Sequence, residues 1–245
     1  MKKLLIIIFI LCAGIVYAED TPDLSPMELY HENYFATGDK NDYAKFQVSA
    51  KFALLKHYES GLFLSYTQIS FWDIWSASSP FKENNYSPSV FIKSKDFLSD
   101  YLNYIQLGMY EHMSNGEDHA DNRSIDRGYI ETQWSYGTKL NIGINTKGLW
   151  YYGQAKENKE YASMSKYYTV KFFISFGEQT EENAKDEFYV KISGWNKGYQ
   201  EYGIISRKLP FMNPRLYLQV YHGYLESMIN YNNCETQIRA GLIFK

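Results

Sequence analysis

His112, Ser114 and Asp126 are the residues of this chain whose types and spacing could do chemistry. The stretch Asn103 to Tyr110, which leads into His112-Met113-Ser114-Asn115-Gly116, reads as a strand, and the next strand starts near Arg123. Side chains at i and i+2 of a strand share a face, so His112 and Ser114 are expected as neighbours. A hairpin closing symmetrically about His119 puts Asp126 across from His112. A serine, an imidazole to accept its proton and a carboxylate to orient that imidazole are the parts of nucleophilic acyl transfer. Spacing alone leaves the ordinary alternative standing, because Ser-Asn-Gly is also a common turn sequence. The linking residues Glu117-Asp118-His119-Ala120-Asp121-Asn122 are rich in oxygen ligands, which suits either a calcium site or an acidic loop in water. There is no Gly-x-Ser-x-Gly elbow, no Cys-x-x-Cys pair and no phosphate-binding glycine loop.

The elements that must position these residues read as β-strands. Of the 245 residues 18% are aromatic, with 24 Tyr, 15 Phe and 5 Trp, a composition that suits strands and also membrane–water boundaries. Met1 to Ala18 reads as an export signal: Lys2 and Lys3, the apolar run Leu4 to Val16, then the small residue Ala18. No later apolar run approaches the roughly 18 residues of a membrane-spanning helix. With the signal removed, Cys234 is the one remaining cysteine, so no intrachain disulfide is expected. Loss of Lys2 and Lys3 takes the net charge from −3 to −5, a balance that argues against a nucleic-acid surface. An outer-membrane β-barrel is the class this combination favours, with a secreted β-sandwich as its rival.

Period-2 alternation recurs over most of the chain. Phe46, Val48, Ala50, Phe52 and Leu54 alternate with Lys45, Gln47, Ser49 and Lys51, and Ile238, Ala240, Leu242 and Phe244 alternate with Gln237, Arg239 and Gly241. Such recurrence predicts an all-β, antiparallel transmembrane barrel of ten to twelve strands. Residues 1–18 are expected as signal, 19–42 as an N-terminal extension without sustained period, and 43–245 as one barrel domain. On the strand of Asp126, Gly128, Ile130 and Trp134 share its face while Arg127, Glu131 and Gln133 take the other. With the charged face inward, the three candidate residues look toward lipid, where polar groups are costly without a purpose.

Three blocks resemble the outer membrane phospholipase A family. They are Tyr110-Glu-His112-Met-Ser114-Asn115-Gly116 with Asn122-Arg123-Ser124-Ile125-Asp126-Arg127, then Gln68-Ile-Ser-Phe-Trp72 with Ser78-Ser79-Pro80-Phe81-Lys82-Glu83-Asn84-Asn85-Tyr86-Ser-Pro88, and Ser227-Met-Ile-Asn-Tyr231-Asn232 with Thr236 and Arg239-Ala-Gly241. The resemblance implies a twelve-stranded barrel in the bacterial outer membrane, with its active site facing outward at the outer leaflet. Ser114 would be the nucleophile, His112 the general base, Asp126 the orienting residue and Gly116 the donor of an oxyanion N–H. The substrate would be phospholipid, cut at both sn-1 and sn-2 positions and as lysophospholipid, in a homodimer with Gln68 at its interface. Calcium would be held by Ser78 from the partner, Glu117 and Asn122, with a second, weaker site at Glu157.

This sequence departs from the family pattern at three of those positions. Asp126 stands where the family normally has Asn, Glu117 where it has Arg, and Asn122 where it has Ser. A carboxylate accepts the imidazole N–H as an amide oxygen does, and stabilises the imidazolium better. The contact at 117 is a backbone carbonyl in the family, and Asn122 can supply an amide oxygen. The alternative function is a porin or adhesin that kept the scaffold without the chemistry.

Overall fold

The computed structural model describes residues 27–39, 42–57, 60–95, 99–118, 121–153, 158–164, 168–177, 186–194, 197–206 and 214–244. The expected signal, the start of the expected extension and Glu157 lie outside them. Thirteen strands are present among the described residues: β1 Met27–Leu29, β2 Asn33–Thr37, β3 Ala44–His57, β4 Ser60–Trp72, β5 Phe81–Ser94, β6 Leu102–Ser114, β7 Ser124–Tyr136, β8 Leu140–Gly153, β9 Tyr168–Phe176, β10 Asp186–Ser193, β11 Tyr199–Ile205, β12 Arg215–Gly223 and β13 Glu235–Phe244. One short helix, α1 Lys159–Met164, follows β8.

Each strand from β2 to β13 pairs antiparallel with its sequence neighbour, and β13 pairs back onto β2. The result is a closed twelve-stranded barrel with β1 added against β3. Closure leaves no open edge in the ring, which a sheet in lipid requires. The wall starts earlier than residue 43, since Asn33–Thr37 fills the gap between β13 and β3. β1 lies in the same lane along β3 as β2, and in the link between β1 and β2 Tyr30 turns inward. Its ring stacks on Phe91 with centroids 4.8 Å apart, and its hydroxyl lies 2.7 Å from that of Tyr129.

The alternation in the sequence becomes the two faces of the wall. Val48, Phe52, Ile130, Trp134, Phe172, Ile204, Leu218 and Ile238 are exposed on the outside, while Lys45, Ser49, Glu131, Glu201, Gln219 and Arg239 are buried inside. A bilayer solvates the first set, and the second must satisfy itself in the lumen. Arg239 shows how. Its guanidinium, 1% exposed, donates to Asp42 Oδ1 and Glu226 Oε1, each at 2.7 Å, and Lys45 reaches the same Glu226 oxygen at 2.9 Å. Two acids thus share two cations between β3, β13, the β2–β3 loop and the β12–β13 loop.

Removing one member of such a network leaves its partners charged and unpaired, a loss of about 3–5 kcal/mol. Arg239→Ala should therefore unfold at markedly lower denaturant than the wild type, in detergent-folded protein followed by heat-dependent gel mobility. An unchanged midpoint would contradict this account of the lumen.

Candidate active site

Strand β6 changes face part-way along. From Tyr104 to Gly108 the even residues point inward, and exposed Leu107 points out. Met109 and Tyr110 are then both exposed, and from Glu111 onward the odd residues point inward. The pairing with β7 gives the reason. Gly108 faces Tyr129 and Glu111 faces Arg127, so Met109 and Tyr110 together oppose the single residue Gly128. This is a β-bulge, and one extra residue turns every later side chain to the opposite face. His112 and Ser114 consequently lie on the outer wall, and Glu111 lies inside, where it accepts from Arg127 at 2.5 Å.

A second bulge sits two strands away. Asp126 faces Gly153 and Arg127 faces Tyr151, leaving Tyr152 as the extra residue of β8. Its hydroxyl donates to the Met109 carbonyl at 2.5 Å, so one bulged residue supplies the partner that the other lacks in the ladder. Gly128, between them, has no side chain because Trp150 occupies the space; a Cβ there would come within 2.4 Å of the indole.

Across the β6–β7 pair His112 faces Asp126, and their side chains meet with Nδ1 2.8 Å from Oδ1. Tyr110 donates to the same carboxylate oxygen at 2.6 Å. Ser114 shares the outer face, flanked by Tyr86 on β5 and Ser124 on β7. No hydrogen bond joins its hydroxyl to His112 among the described residues, and such contacts commonly tighten only once substrate is bound. Gly116 has φ +71°, a left-handed conformation that costs other residues about 1–2 kcal/mol.

The loop after Ser114 is buckled by Asn115, which is 2% exposed. Its Oδ1 accepts from the N–H groups of Arg123 at 3.0 Å and Glu117 at 3.3 Å, and its Nδ2 donates to the Asp121 carbonyl at 2.7 Å. Behind this loop an apolar cap packs on the inner faces of β6 and β7. Ile125, Tyr161, Ala162, Met164, Met228 and Tyr231 form its core, with Met113 against it. Glu83 ties the cap to β5 by accepting from the N–H groups of Met228 at 2.6 Å and Ile229 at 3.3 Å.

The expected ligands of calcium stand on two loops. Glu117 and Asn122 flank the acidic turn, both exposed. Ser78 is exposed in the β4–β5 loop, which an Asp73–Ser76 turn shapes. Hydrogen bonding by Ser76, assisted by Lys82, holds the Asp73 carboxyl below its ordinary range. No hydrogen bond joins Ser78 to Glu117 or Asn122, and no cluster of three carboxylate, imidazole or thiol groups suited to a metal occurs among the described residues. Gln68 is on the outer face but is not alone there. It accepts from Tyr66 Oη at 2.9 Å, donates to Ser70 Oγ at 3.0 Å, and lies 3.5 Å from Asn84 Oδ1.

Sequence reasoning passed over Tyr110 and Asn115, although both stand inside the motif it quoted. The signal for the bulge was also present: Leu107 belongs to the apolar face by one parity and His112 by the other.

A family model described as phospholipase A1 matches residues 11–244. The chain belongs to the phospholipase A1 family. It is 32% identical over 235 residues to phospholipase A1 of Salmonella typhimurium, covering 91% of this chain and 76% of that one. Against phospholipase A1 of Escherichia coli it is 32% identical over 223 residues, covering 85% and 72%. The barrel superposes on outer membrane phospholipase A from Escherichia coli with a TM-score of 0.74 at 27% identity, over 96% of this chain and 97% of that one. A dimer of the Salmonella typhi outer membrane phospholipase with bound calcium matches equally, with a TM-score of 0.74 at 28% identity over 95% and 96%. Family and fold together make this phospholipase A1 member a β-barrel of the bacterial outer membrane.

Asn115→Ala should remove the acceptor of two half-buried N–H groups, a loss of about 0.5–1.5 kcal/mol each, and free the loop. Trypsin should then cut the folded barrel after Arg123 well before it cuts the wild type. Equal resistance would show that something else holds the turn.

Proposed function

We propose that this outer-membrane phospholipase is a calcium-dependent serine hydrolase. Its substrates are the acyl esters of glycerophospholipids at sn-1 and sn-2, and lysophospholipids, and it works as a homodimer. The observation that carries the reading is the His112–Asp126 pair at 2.8 Å on the lipid-facing wall, with Ser114 two residues on along the same face. A polar pair held outward in a membrane protein needs a polar purpose, and an ester carbonyl at headgroup depth supplies one.

In this reading His112 takes the Ser114 proton as Oγ attacks the ester carbonyl, and Asp126 keeps Nδ1 protonated and stabilises the imidazolium. The Gly116 N–H donates to the oxyanion, and the left-handed backbone there is what only glycine adopts without strain. As the intermediate collapses, His112 returns the proton to the departing alcohol, and water then cleaves acyl-Ser114 with His112 again as base.

The exposed Glu117, Asp118, Asp121 and Asn122 form a hard oxygen set that suits calcium. Glu117 through its carbonyl, Asn122 through its amide and Ser78 reaching over from a partner would hold the ion, with Glu157 at a second site. Bound there, calcium would add positive charge beside the developing oxyanion. A dimer would bring Ser78 to a loop it does not touch within one chain. Gln68 supports the same face, because its long contact to Asn84 is one that a partner's side chain can replace. The calcium-bound dimer of the Salmonella typhi relative supports both points.

Phospholipid hydrolysis in mixed micelles tests this. Wild type with calcium should release fatty acid, and chelator should abolish the release. Ser114→Ala should lower it by at least roughly 10³-fold. Equal release from wild type and Ser114→Ala would overturn the proposal.

A further inference from the structure

Asp126 Oδ1 receives two donors, His112 Nδ1 at 2.8 Å and the Tyr110 hydroxyl at 2.6 Å. Both come from the same strand and the same outer face, the second from a diagonal cross-strand neighbour. Tyr110 opposes Gly128 together with Met109, so Asp126 is its diagonal neighbour on β7, within reach of an aromatic side chain. The Tyr110 ring is also held from the far side, stacked against Tyr152 with centroids 6.3 Å apart. Tyr152 in turn is fixed by its bond to the Met109 carbonyl and by the edge of Trp150.

A carboxylate on a lipid-facing wall is under two demands that an amide escapes. Its charge needs donors in place of water, and it must present a fixed oxygen to His112. An amide brings its own hydrogen-bond donors and no charge; a carboxylate only accepts. Tyr110 meets both demands with one hydroxyl, which partly neutralises the carboxylate and fixes its torsion.

We propose that Tyr110 is a positioning residue of this site, acting on His112 and Ser114 through Asp126, and that it is what allows a carboxylate to serve as third member here. The inference rests on the reading of Ser114 as nucleophile. Tyr110 is also 45% exposed, so it could instead be an aromatic contact for lipid chains. The two roles differ in what they change. A positioning residue alters the readiness of Ser114, and a lipid contact alters substrate binding.

The test uses full-length, detergent-folded protein with calcium, its folding checked by heat-dependent gel mobility. The rate at which a fluorophosphonate labels Ser114, and kcat and KM on mixed micelles, are measured for wild type, Tyr110→Phe, Asp126→Ala and the double variant. Phe keeps the ring and its stacking and removes only the hydroxyl. Tyr110→Phe should lower the labelling rate and kcat roughly tenfold, as expected for one hydrogen bond to a charged group, with KM unchanged. In the Asp126→Ala background the same change should do nothing further, because the oxygen through which it acts is gone. Wild-type labelling in Tyr110→Phe, a rise in KM at constant kcat, or an equal tenfold fall in the Asp126→Ala background would each overturn the inference. Labelling that persists in Ser114→Ala would overturn the reading of the nucleophile and the inference with it.

Discussion

One extra residue in β6 governs how this barrel can be an enzyme at a lipid surface. Strand alternation ties every side chain to its neighbours, so the charged lumen and the outward site cannot both be served by a strand in regular register. Near its middle β6 must turn Gln106 inward toward Tyr30 and Tyr129. Near its end it must turn Glu111 inward to Arg127 while presenting His112 outward to Asp126. Gln106 and Glu111 differ by an odd number of residues, and only a bulge lets both face the lumen. The bulge at Met109–Tyr110 is thus where the demands of stability and of chemistry are reconciled.

The same logic explains why the neighbourhood is so heavily tied. A bulge frees a backbone carbonyl from the ladder, and within a bilayer that group needs another donor. Tyr152 provides it, itself a bulged residue on β8. Above the bulge, Asn115 buckles the loop and the cap clamped by Glu83 packs on Met113 and Ile125, the inward neighbours of the outward site. The outer face therefore carries polar groups on a frame fixed from inside.

Much of the fold was legible because period 2 is a strong signal where one face meets lipid and the other a charged lumen. The runs around Val48 and Ile238 became strands with the faces expected. The His112–Asp126 pairing followed from hairpin symmetry about His119, since β7 keeps its parity throughout. Asn33–Thr37 was not legible: five residues carry too little alternation to announce a strand, and its place is decided by ring closure between β13 and β3. The role of Tyr110 was hidden for a different reason. Its partner is diagonal, and which of its cross-strand neighbours a tyrosine hydroxyl reaches is set by packing rather than by spacing along the strand. Gln68 is held mainly by Tyr66 and Ser70, two residues away on its own strand, with Asn84 on the adjacent strand as a longer contact.

The central claim is that β6 presents Leu107 and Ser114 to the same side of the wall although their numbers differ in parity. It is tested most directly by lipid quenching. In a Cys234→Ser background, single cysteines at 107, 114 and, as a luminal control, 106 carry a bimane label, and the folded barrel is placed in bilayers bearing nitroxides along the acyl chains. Quenching at both 107 and 114, with 106 protected, is the predicted result. Quenching at 107 with 114 as protected as 106 would mean that the strand runs in regular register and that the site faces the lumen.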